Sequence, residues 1–384
     1  MPLPRARLST PLVMALFGLG ASVLGTGVPG AGVRDTTAEP GRPSPAPASQ
    51  VLPLPASQVL PLLVSQVLPL LVSRGRAPGA ALLSRSAAGS TRFETAGSGI
   101  RRADRFRAGS VTKTLLATVV LQLAAEGRLK LSDTVDRHLP GLVRGHGNDG
   151  RLLTLRALLT HTSGLYDYTA EDSSPGPTTP RAAIRTALAH APGPRGSYAY
   201  SNTDYILLGL MVEQVTGRSY AAEAEARVIV PLGLTGTSFP GDRTTLPSPH
   251  GRAYSRTPGP GHPLRDVTQL DPRPAGAAGE LISTLDDLDR FYTALLGGEL
   301  LPAPQLRELL DTGAAHGAYG MGVYPERLSC GITVWGHNGR IAGSYVRTAA
   351  TADGRRTLTF RVNTDALADG SLEPALLDEE FCVS

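Results

Sequence analysis

The sequence predicts an α+β fold in which one sheet is built from strands at both ends of the chain. Strand patterns occur early, over Gly79 to Arg85 and Arg92 to Ala96, and return only after residue 330. Helical or loop patterns dominate residues 130 to 310 between them. A doubly wound parallel sheet would instead alternate strands and helices along the whole chain. We therefore expect a helical insertion between the two strand-forming ends.

The individual elements follow from periodicity and turn residues. The two early strands are joined by a turn at Ala88-Gly89-Ser90. A helix is predicted from Ser110 to about Glu126, because apolar residues recur there at helical spacing. The later strands are predicted at Gly331 to Trp335, Ser344 to Ala350 and Thr357 to Val362. The other helical segments are predicted at Thr154 to Thr160, Arg181 to His190, Thr203 to Thr216, Leu285 to Leu296 and Leu372 to Phe381.

Composition excludes some classes of protein. The chain has 384 residues, 41% hydrophobic and 18% charged, which are globular values that fit one large domain or two. The net charge is only +4, and its arginines are scattered without a basic run, so we expect no nucleic-acid partner. Two cysteines do not make a disulfide framework, although they can form one bridge.

Residues 1–32 are predicted to be a secretory signal peptide. Arg5 and Arg7 precede a short apolar stretch from Pro11 to Gly25, and small residues follow where a peptidase could cut. The stretch is too short and too rich in glycine for a stable membrane span, and a retained amphipathic anchor is the alternative. No cysteine lies near the cleavage region, which excludes lipid attachment there. We expect a secreted, extracellular protein associated with the cell wall.

Residues 33–70 are predicted to be a proline-rich linker followed by an octapeptide repeat. The repeat begins with Ser49-Gln50-Val51-Leu52-Pro53 and starts again at Ser57 and Ser65. A proline in every copy argues against one continuous helix, and the unit is too short for a solenoid. We interpret it as duplication of a short segment, with only the last copy docked on a domain that covers residues 71–384.

The first candidate for chemistry is a serine three residues before a lysine. The chain has two lysines, and Lys113 shares a helix face with Ser110. A buried lysine can lose its proton, which arginine does not, and such a base can activate a serine hydroxyl. At the start of a helix, the Ser110 amide can stabilise a developing negative charge. The alternative is a capping serine with a surface lysine.

A second motif, Tyr200-Ser201-Asn202, lies just before an amphipathic helix. A protonated lysine beside Tyr200 would favour its phenolate, which could take the serine proton and return it to the leaving group. The Asn202 amide offers a donor and an acceptor to a substrate amide. Alternatively, Asn202 caps the helix and Tyr200 packs beneath it.

A third motif is Gly336-His337-Asn338-Gly339-Arg340, at the end of an apolar strand that begins at Cys330. Glycines at a strand edge permit close approach of a ligand's backbone. The Arg340 amide is therefore a candidate second oxyanion donor, and His337 could help to place a carboxylate. A structural histidine in a turn is the alternative.

In this order and with these spacings, Ser110-x-x-Lys113, Tyr200-x-Asn202 and His337-x-Gly339 resemble the serine β-lactamase and penicillin-binding superfamily. The chain looks most similar to the class C-like secreted D-alanyl-D-alanine carboxypeptidases of actinomycetes, from about residue 71 to the C-terminus. The resemblance implies a β-lactamase/transpeptidase-like fold. It has an antiparallel five-stranded sheet flanked by helices, an all-helical subdomain, and the site between them.

The resemblance also implies roles for the motif residues. Ser110 would be the acylated nucleophile, and Lys113 and Tyr200 the proton-transfer pair. The amides of Ser110 and Arg340 would form the oxyanion hole. The substrate cleft would be lined by Asn202, His337, Asn338, Gly339 and Arg340. Neither a metal nor a cofactor is required. The expected substrate is a peptidoglycan-type stem peptide, β-lactams are the expected inhibitors, and we expect a monomer.

The sequence departs from that family pattern at the groups that hold the substrate's terminal carboxylate. Close relatives usually carry threonine where this chain has Asn338 and Arg340, and arginine where it has Tyr324. Either Arg340 or Arg327 compensates, since guanidinium binds carboxylates bidentately, or the substrate differs. The alternatives are an esterase, a β-lactamase or a D-amino-acid peptidase of the same fold, and a non-catalytic penicillin-recognising module.

The two cysteines fit the same resemblance. Cys330 precedes the strand of the third motif, and Cys382 follows the last predicted helix. We predict that they form a disulfide, which would stabilise the fold by about 4 kcal/mol through loop closure.

Overall fold

A computed structural model of the protein describes residues 66–170, 176–256 and 263–382. The predicted signal peptide, the linker and the first copies of the repeat lie outside these residues. The expectations for those segments therefore stay predictions.

The strands form one large sheet and three short pairs. Their bounds are β1 (Gly79–Arg85), β2 (Thr91–Gly97), β3 (Phe106–Arg107), β4 (Arg144–Gly145), β5 (Asn148–Asp149), β6 (Tyr254–Arg256), β7 (Leu264–Asp266), β8 (Ile282–Ser283), β9 (Tyr324–Arg327), β10 (Thr333–Ile341), β11 (Ser344–Thr351) and β12 (Thr357–Val362). The large sheet is antiparallel throughout, with six strands in the order β2-β1-β12-β11-β10-β9. Strands from both ends of the chain thus build one sheet, as predicted.

The sheet differs from the prediction in two places. It has six strands rather than five, because the short edge strand β9 was not predicted. Pro325 lies within β9, and proline is tolerated at an edge where no ladder hydrogen bond is lost. Strand β10 also continues to Ile341, so the third motif lies within the strand and not at its end.

The helices are distributed over the middle and the two ends of the described chain. Their bounds are α1 (66–73), α2 (Val111–Ala125), α3 (Val135–His138), α4 (Leu155–Leu159), α5 (Pro180–Leu188), α6 (Asn202–Thr216), α7 (Tyr220–Ala224), α8 (Val230–Leu232), α9 (Gly276–Gly279), α10 (Leu285–Leu296), α11 (Ala303–Leu310) and α12 (Leu372–Cys382). A π-helical turn at Glu225–Ile229 joins α7 to α8.

Both faces of the large sheet are buried. In β1, Ala81 and Leu83 face the main core with the helical region, whereas Ala80 and Leu82 face a second core. Side chains alternate between faces along a strand, so a strand buried on both sides reads as a continuous apolar run. The second core contains residues of α1 and α12. The helical region and the terminal helices therefore lie on opposite faces of the sheet.

Helix α1 is formed by the last copy of the repeat and begins before the expected domain start at residue 71. Leu68 and Leu71 are buried in the second core. Pro69 lies within the described part of this helix. The last copy thus lies docked on the sheet.

Helix α2 runs through the middle of the main core. Every residue from Val111 to Leu121 is buried, and the polar side chains of Thr112, Lys113 and Thr114 are among them. A helix that is buried on all sides is typical of the centre of a large core. This location takes Lys113 out of solvent, whereas the alternative interpretation placed it on the surface.

The predicted disulfide between Cys330 and Cys382 is present. It joins the segment before β10 to the end of α12 across a sequence separation of 52 residues. The bond therefore ties the C-terminal helix to the strand that carries the third motif.

Candidate active site

Ser110 lies at the start of α2, directly after a glycine in the left-handed conformation. Gly109 has a φ of 53°, and a Cβ there would lie 2.7 Å from the Arg340 amide nitrogen. Gly339 is similarly restricted, since its Cβ would lie 1.8 Å from the Ala108 carbonyl oxygen. Glycine at both positions therefore lets β10 lie against the segment that carries Ser110. The expected role for these glycines was approach of a ligand, but the backbone that approaches Gly339 is the protein's own.

Lys113 is fully buried beside Ser110. Its Nζ donates to Ser110 Oγ at 3.1 Å, to Asn202 Oδ1 at 2.7 Å and to the Ala278 carbonyl oxygen at 2.7 Å. Burial lowers the pKa of Lys113 to about 7, although the charges of Asp167 and Asp204 oppose that change. Near neutral pH, Lys113 is therefore uncharged in a substantial fraction of the protein molecules. The alternative of a surface lysine is wrong.

Tyr200 contacts the serine from the other side. Its Oη donates to Ser110 Oγ at 2.9 Å, and Lys113 Nζ lies 4.9 Å from the ring centroid. Burial raises the pKa of Tyr200 above its ordinary value. Burial therefore opposes the phenolate that a neighbouring lysine was expected to favour. In the resting site Tyr200 is a neutral phenol, and Lys113 is the group with the lowered pKa.

Asn202 links the serine–lysine pair to a loop. It is the first residue of α6, and its Oδ1 accepts the bond from Lys113. Its Nδ2 lies 3.1 Å from Asp167 Oδ2, 3.3 Å from Asp167 Oδ1 and 3.0 Å from Thr169 Oγ1. The side chain therefore does not cap the helix, and that alternative is wrong. Both ends of the Asn202 amide are engaged within the protein.

His337 lies behind the tyrosine, within strand β10. Its Nδ1 bonds to the Asn338 carbonyl oxygen, and its Nε2 lies 2.8 Å from Tyr319 Oη. A carbonyl only accepts, so Nδ1 carries the hydrogen and Nε2 accepts from the tyrosine. Burial lowers the pKa of His337 to about 3, and the charge of Lys113 adds to the effect. His337 is therefore neutral and offers no charge to a carboxylate, and its role in substrate binding stays a prediction.

The remaining residues of the third motif differ in exposure. Asn338 is half-buried, Gly339 is buried, and Arg340 is exposed. Tyr324, which stands where relatives carry arginine, has its ring 4.5 Å from the buried Arg347 guanidinium. Arg340 lies on the wall of the cavity at Ser110, and Arg327 is not on that wall. Of the two candidate compensating arginines, Arg340 is the one at the site.

Two backbone amides are suited to an oxyanion. The Ser110 amide has no hydrogen-bond partner within the described ranges, and it lies at the positive end of α2. The close approach at Gly109 brings the Arg340 amide next to the same segment. Both groups predicted for the oxyanion hole are thus brought together.

A cavity of about 330 Å³ opens at Ser110. Its polar wall includes Thr169, Asn202, Asp271 and Arg340. The rest of its lining is Tyr168, Leu270, Pro274, Ala275, Ala278, Gly279, Ile341 and Ala342. The cavity can therefore hold an apolar side chain beside polar and charged groups of a small substrate.

Several residues of the site received no role from the sequence. Buried His161 and Asp204 lie 3.0 Å apart, and Ser163 Oγ donates to Asp204 at 2.5 Å. The His161 ring packs against Tyr200, with centroids 4.3 Å apart. Burial raises the pKa of Asp204 and lowers the pKa of His161. An available signal was the position of Asp204, two residues after Asn202 in the first turn of a helix.

Neither metal clusters nor membrane spans are found in the part of the chain that the structure covers. No group of three or more His, Cys, Asp or Glu side chains there could hold a metal ion. Over the same residues, none of the helices combines the length and the apolar character needed to cross a membrane.

Comparisons with known proteins agree with this geometry. The family model described as Beta-lactamase matches residues 64–374. The putative penicillin-binding protein PbpX of Bacillus subtilis (strain 168) is 30% identical over 223 residues. That alignment covers 57% of this chain and 53% of PbpX, so the chain spans about half the length of this curated relative.

Solved structures are similar over a larger share of both chains. The D-stereospecific amidohydrolase from Streptomyces sp. has a TM-score of 0.77 and 41% identity, covering 84% of this chain and 99% of its own. The D-amino acid amidase from Ochrobactrum anthropi SV3 has a TM-score of 0.73 and 24% identity, and the match covers 84% of this chain and 98% of the amidase. At this identity the likeness is one of fold alone. The family model matches most of the domain, and the site at Ser110 agrees with it. The chain therefore belongs to the beta-lactamase family, as a serine hydrolase of the β-lactamase and penicillin-binding fold.

Proposed function

We propose that the protein is a D-stereospecific serine hydrolase that cleaves the amide or ester bond at the carbonyl of a D-aminoacyl group. The observation that carries the proposal is Ser110 Oγ, held between Lys113 Nζ at 3.1 Å and Tyr200 Oη at 2.9 Å beside a cavity. The choice of substrate is supported by similarity to the Streptomyces amidohydrolase, which is described as D-stereospecific.

Acylation begins with removal of the serine proton. Neutral Lys113 accepts this proton while Ser110 Oγ bonds to the substrate carbonyl carbon. The resulting oxyanion accepts hydrogen bonds from the Ser110 and Arg340 amides. Tyr200 gives its hydroxyl proton to the leaving nitrogen or oxygen, and the Lys113 ammonium restores the proton to Tyr200. The net result is transfer of the serine proton to the leaving group and an ester at Ser110.

Deacylation uses the same groups with water as the nucleophile. The Tyr200–Lys113 pair takes one proton from water as the water oxygen bonds to the ester carbonyl carbon. The intermediate collapses with return of a proton to Ser110 Oγ. The products are a D-amino acid and the free enzyme. The His161–Asp204 pair packs behind Tyr200 and holds the ring in place during both steps.

D-alanyl-D-alanine carboxypeptidase activity on peptidoglycan stem peptides is the second candidate function. It is favoured by exposed Arg340 on the cavity wall, where a guanidinium could bind a terminal carboxylate. Against it stand Tyr324 at the position of the usual arginine and a neutral His337. The esterase and β-lactamase alternatives use the same acyl-enzyme. The complete set of Ser110, Lys113 and Tyr200 argues against a non-catalytic module.

We also propose that the protein acts outside the cytoplasm. Support comes from the signal-like composition of residues 1–32 and from the Cys330–Cys382 disulfide, since disulfides persist in oxidising compartments. The expectation of a monomer stays a prediction.

A comparison of substrates tests the proposed function. Purified protein is assayed on D-phenylalanine amide, L-phenylalanine amide and a peptide that ends in D-alanyl-D-alanine, with Ser110→Ala as the control. We expect turnover of the D-amide, little turnover of the L-amide, and no turnover by the variant. Preference for the D-alanyl-D-alanine peptide would favour the carboxypeptidase, and equal rates on both amides would contradict D-specificity.

A further inference from the structure

We propose that Asp167 binds the α-ammonium group of the substrate, so that the site takes D-aminoacyl compounds with a free amino group in preference to N-acylated peptides. The inference rests on the proposed function, because it names a recognition element for that reaction. The residue lies in the loop before α5 and received no role from the sequence.

Asp167 is held beside the cavity by neutral donors. Its Oδ1 accepts from the Thr169 amide at 3.0 Å and the Thr169 hydroxyl at 2.9 Å. Asn202 Nδ2 lies 3.1 Å from its Oδ2. Thr169 and Asn202 both line the cavity at Ser110. The carboxylate is thereby fixed between two wall residues, and Oδ2 keeps capacity for another donor because a carboxylate oxygen can accept more than one bond.

The charge of Asp167 has no cation paired with it. Among the described residues, its hydrogen-bond donors are amides and a hydroxyl, and no ion pair includes it. Asp271, on the wall of the same cavity, is different: Arg273 contacts it at 2.7 Å through Nη2 and at 3.0 Å through Nε. Asp167 is half-buried, and a half-buried carboxylate without a paired cation is stabilised by a cation that arrives with the substrate.

A chain of hydrogen bonds joins the Asp167 carboxylate to the reacting groups. Asp167 is bonded to Asn202, Asn202 to Lys113, and Lys113 to Ser110. The α-nitrogen of an aminoacyl group is two bonds from the carbonyl carbon that Ser110 attacks. A group that binds this nitrogen must therefore lie near the serine, and Asp167 is linked to the serine through Asn202 and Lys113.

The same contacts disfavour an N-acylated substrate. The Asn202 amide hydrogens point to Asp167 and Thr169, so they are not free for the carbonyl of an N-acyl group. Binding such a group would break bonds within the protein and place an uncharged amide against an unpaired carboxylate. A free ammonium instead adds a charge-assisted hydrogen bond.

A different role for Asp167 is to stabilise the protonated form of Lys113, since its charge opposes the lowered pKa of that lysine. The two roles predict different results. Loss of an ammonium-binding residue raises KM for substrates with a free amino group and spares those without one. Loss of a counter-ion to Lys113 alters the pH profile for every substrate alike.

Kinetics of two variants on matched substrates test the proposal. Wild type, Asp167→Asn and the control Asp266→Asn are assayed on the p-nitroanilides of D-phenylalanine and N-acetyl-D-phenylalanine. Asp266 likewise accepts from the amide and hydroxyl of a threonine two residues later, but it does not line the cavity at Ser110. We expect wild type to prefer the free amine. For Asp167→Asn we expect a KM raised about 10- to 100-fold on the free amine, with little change on the acetylated substrate. Equal wild-type rates on both substrates, or equal losses on both in Asp167→Asn, would overturn the proposal.

A binding measurement separates this proposal from the proposed function. Calorimetry measures D-phenylalanine amide and N-acetyl-D-phenylalanine amide binding to Ser110→Ala and to Ser110→Ala/Asp167→Asn. We expect the free amine to bind Ser110→Ala more tightly, by a margin that disappears in the double variant. This result would support the role of Asp167 even if wild type turned over neither anilide, which would count against the proposed function alone. Equal binding of the two amides by Ser110→Ala would refute the role of Asp167.

Discussion

Lys113 Nζ lies 2.7 Å from Asn202 Oδ1, and this contact joins the buried helix α2 to the first residue of α6. The lysine is held by three acceptors, one of which is the serine hydroxyl. Its orientation is therefore fixed, and its proton is shared with the nucleophile. Lys113 combines a lowered pKa with direct contact to Ser110, which supports its proposed role as the base of the site, with Tyr200 as its relay.

The pH dependence of acylation reports the state of Lys113. Its pKa is lowered to about 7 by burial, and the neutral form is the one that accepts the serine proton. Because the neutral fraction increases with pH, kcat/KM should rise about tenfold per pH unit below pH 7 and level off above it. Stopped-flow release of p-nitrophenol from an activated ester measures this profile.

A variant at His337 provides the control for that profile. Since the pKa of His337 is lowered to about 3, the ring is neutral throughout the pH range of the assay. It therefore adds no rise or fall of its own to the pH–rate profile. His337→Gln should therefore keep the midpoint near pH 7, whatever its rate. A midpoint that moves or vanishes in His337→Gln, or a wild-type profile that is flat from pH 5 to 9, would contradict the assignment to Lys113.

Tyr200→Phe should slow the enzyme without unfolding it. The substitution removes the 2.9 Å bond to Ser110 and the proton relay, but leaves the ring packed against His161. We expect kcat to fall about 10²- to 10⁴-fold with a melting temperature close to that of wild type. Circular dichroism and steady-state assays make the two measurements. Retention of more than half of the wild-type kcat would exclude Tyr200 from proton transfer.

Gly339→Ala should separate β10 from the serine. Its new Cβ would lie 1.8 Å from the Ala108 carbonyl oxygen, so the backbone must move and take the Arg340 amide with it. We expect a loss of about 1 to 3 kcal/mol in the free energy of unfolding and a roughly 100-fold fall in kcat.

The matched control is Gly193→Ala, whose Cβ would meet its nearest atom at an ordinary 3.7 Å. This variant should keep both stability and rate. Urea unfolding and the anilide assay compare the two variants. If Gly339→Ala were as active as Gly193→Ala, the Arg340 amide would not belong to the oxyanion hole.

Removal of the disulfide should lower stability and leave catalysis intact. The bond closes a loop with a sequence separation of 52 residues, which corresponds to about 4 kcal/mol in the chain-entropy estimate. Helix α12 packs in the second core, on the sheet face away from Ser110. The double variant Cys330→Ser/Cys382→Ser should therefore unfold at lower urea but retain kcat. Two free thiols in the purified wild-type protein would show that the bond does not form.

The sequence predicted the elements that have strong local patterns. The five longer strands and the main helices follow from apolar periodicity, and α2 begins just after Ser110 as expected. Strand β9 is short and contains Pro325, so its pairing depends on the neighbouring strand and not on propensity. The full length of β10 depends on its pairing with β11 as far as Ile341, which is a contact between separate segments and not a local pattern.

The site was predictable to the extent that its motifs are local. Ser110 and Lys113 share a helix face, and this spacing can be read from the sequence. Burial of Lys113 cannot, because Thr112 and Thr114 beside it suggest a polar face. The bond between Asp167 and Asn202 joins a loop to a helix 35 residues later, and no local pattern predicts it.

The most direct test of the account is to locate the acyl group. The protein is mixed with a D-phenylalanine ester, quenched in acid within milliseconds, digested and mapped by mass spectrometry. We predict a D-phenylalanyl adduct on Ser110 that forms at the rate of the leaving-group burst and is absent in Ser110→Ala. An adduct on another residue, or turnover of the ester by Ser110→Ala at the wild-type rate, would contradict the assignment of Ser110 as the nucleophile.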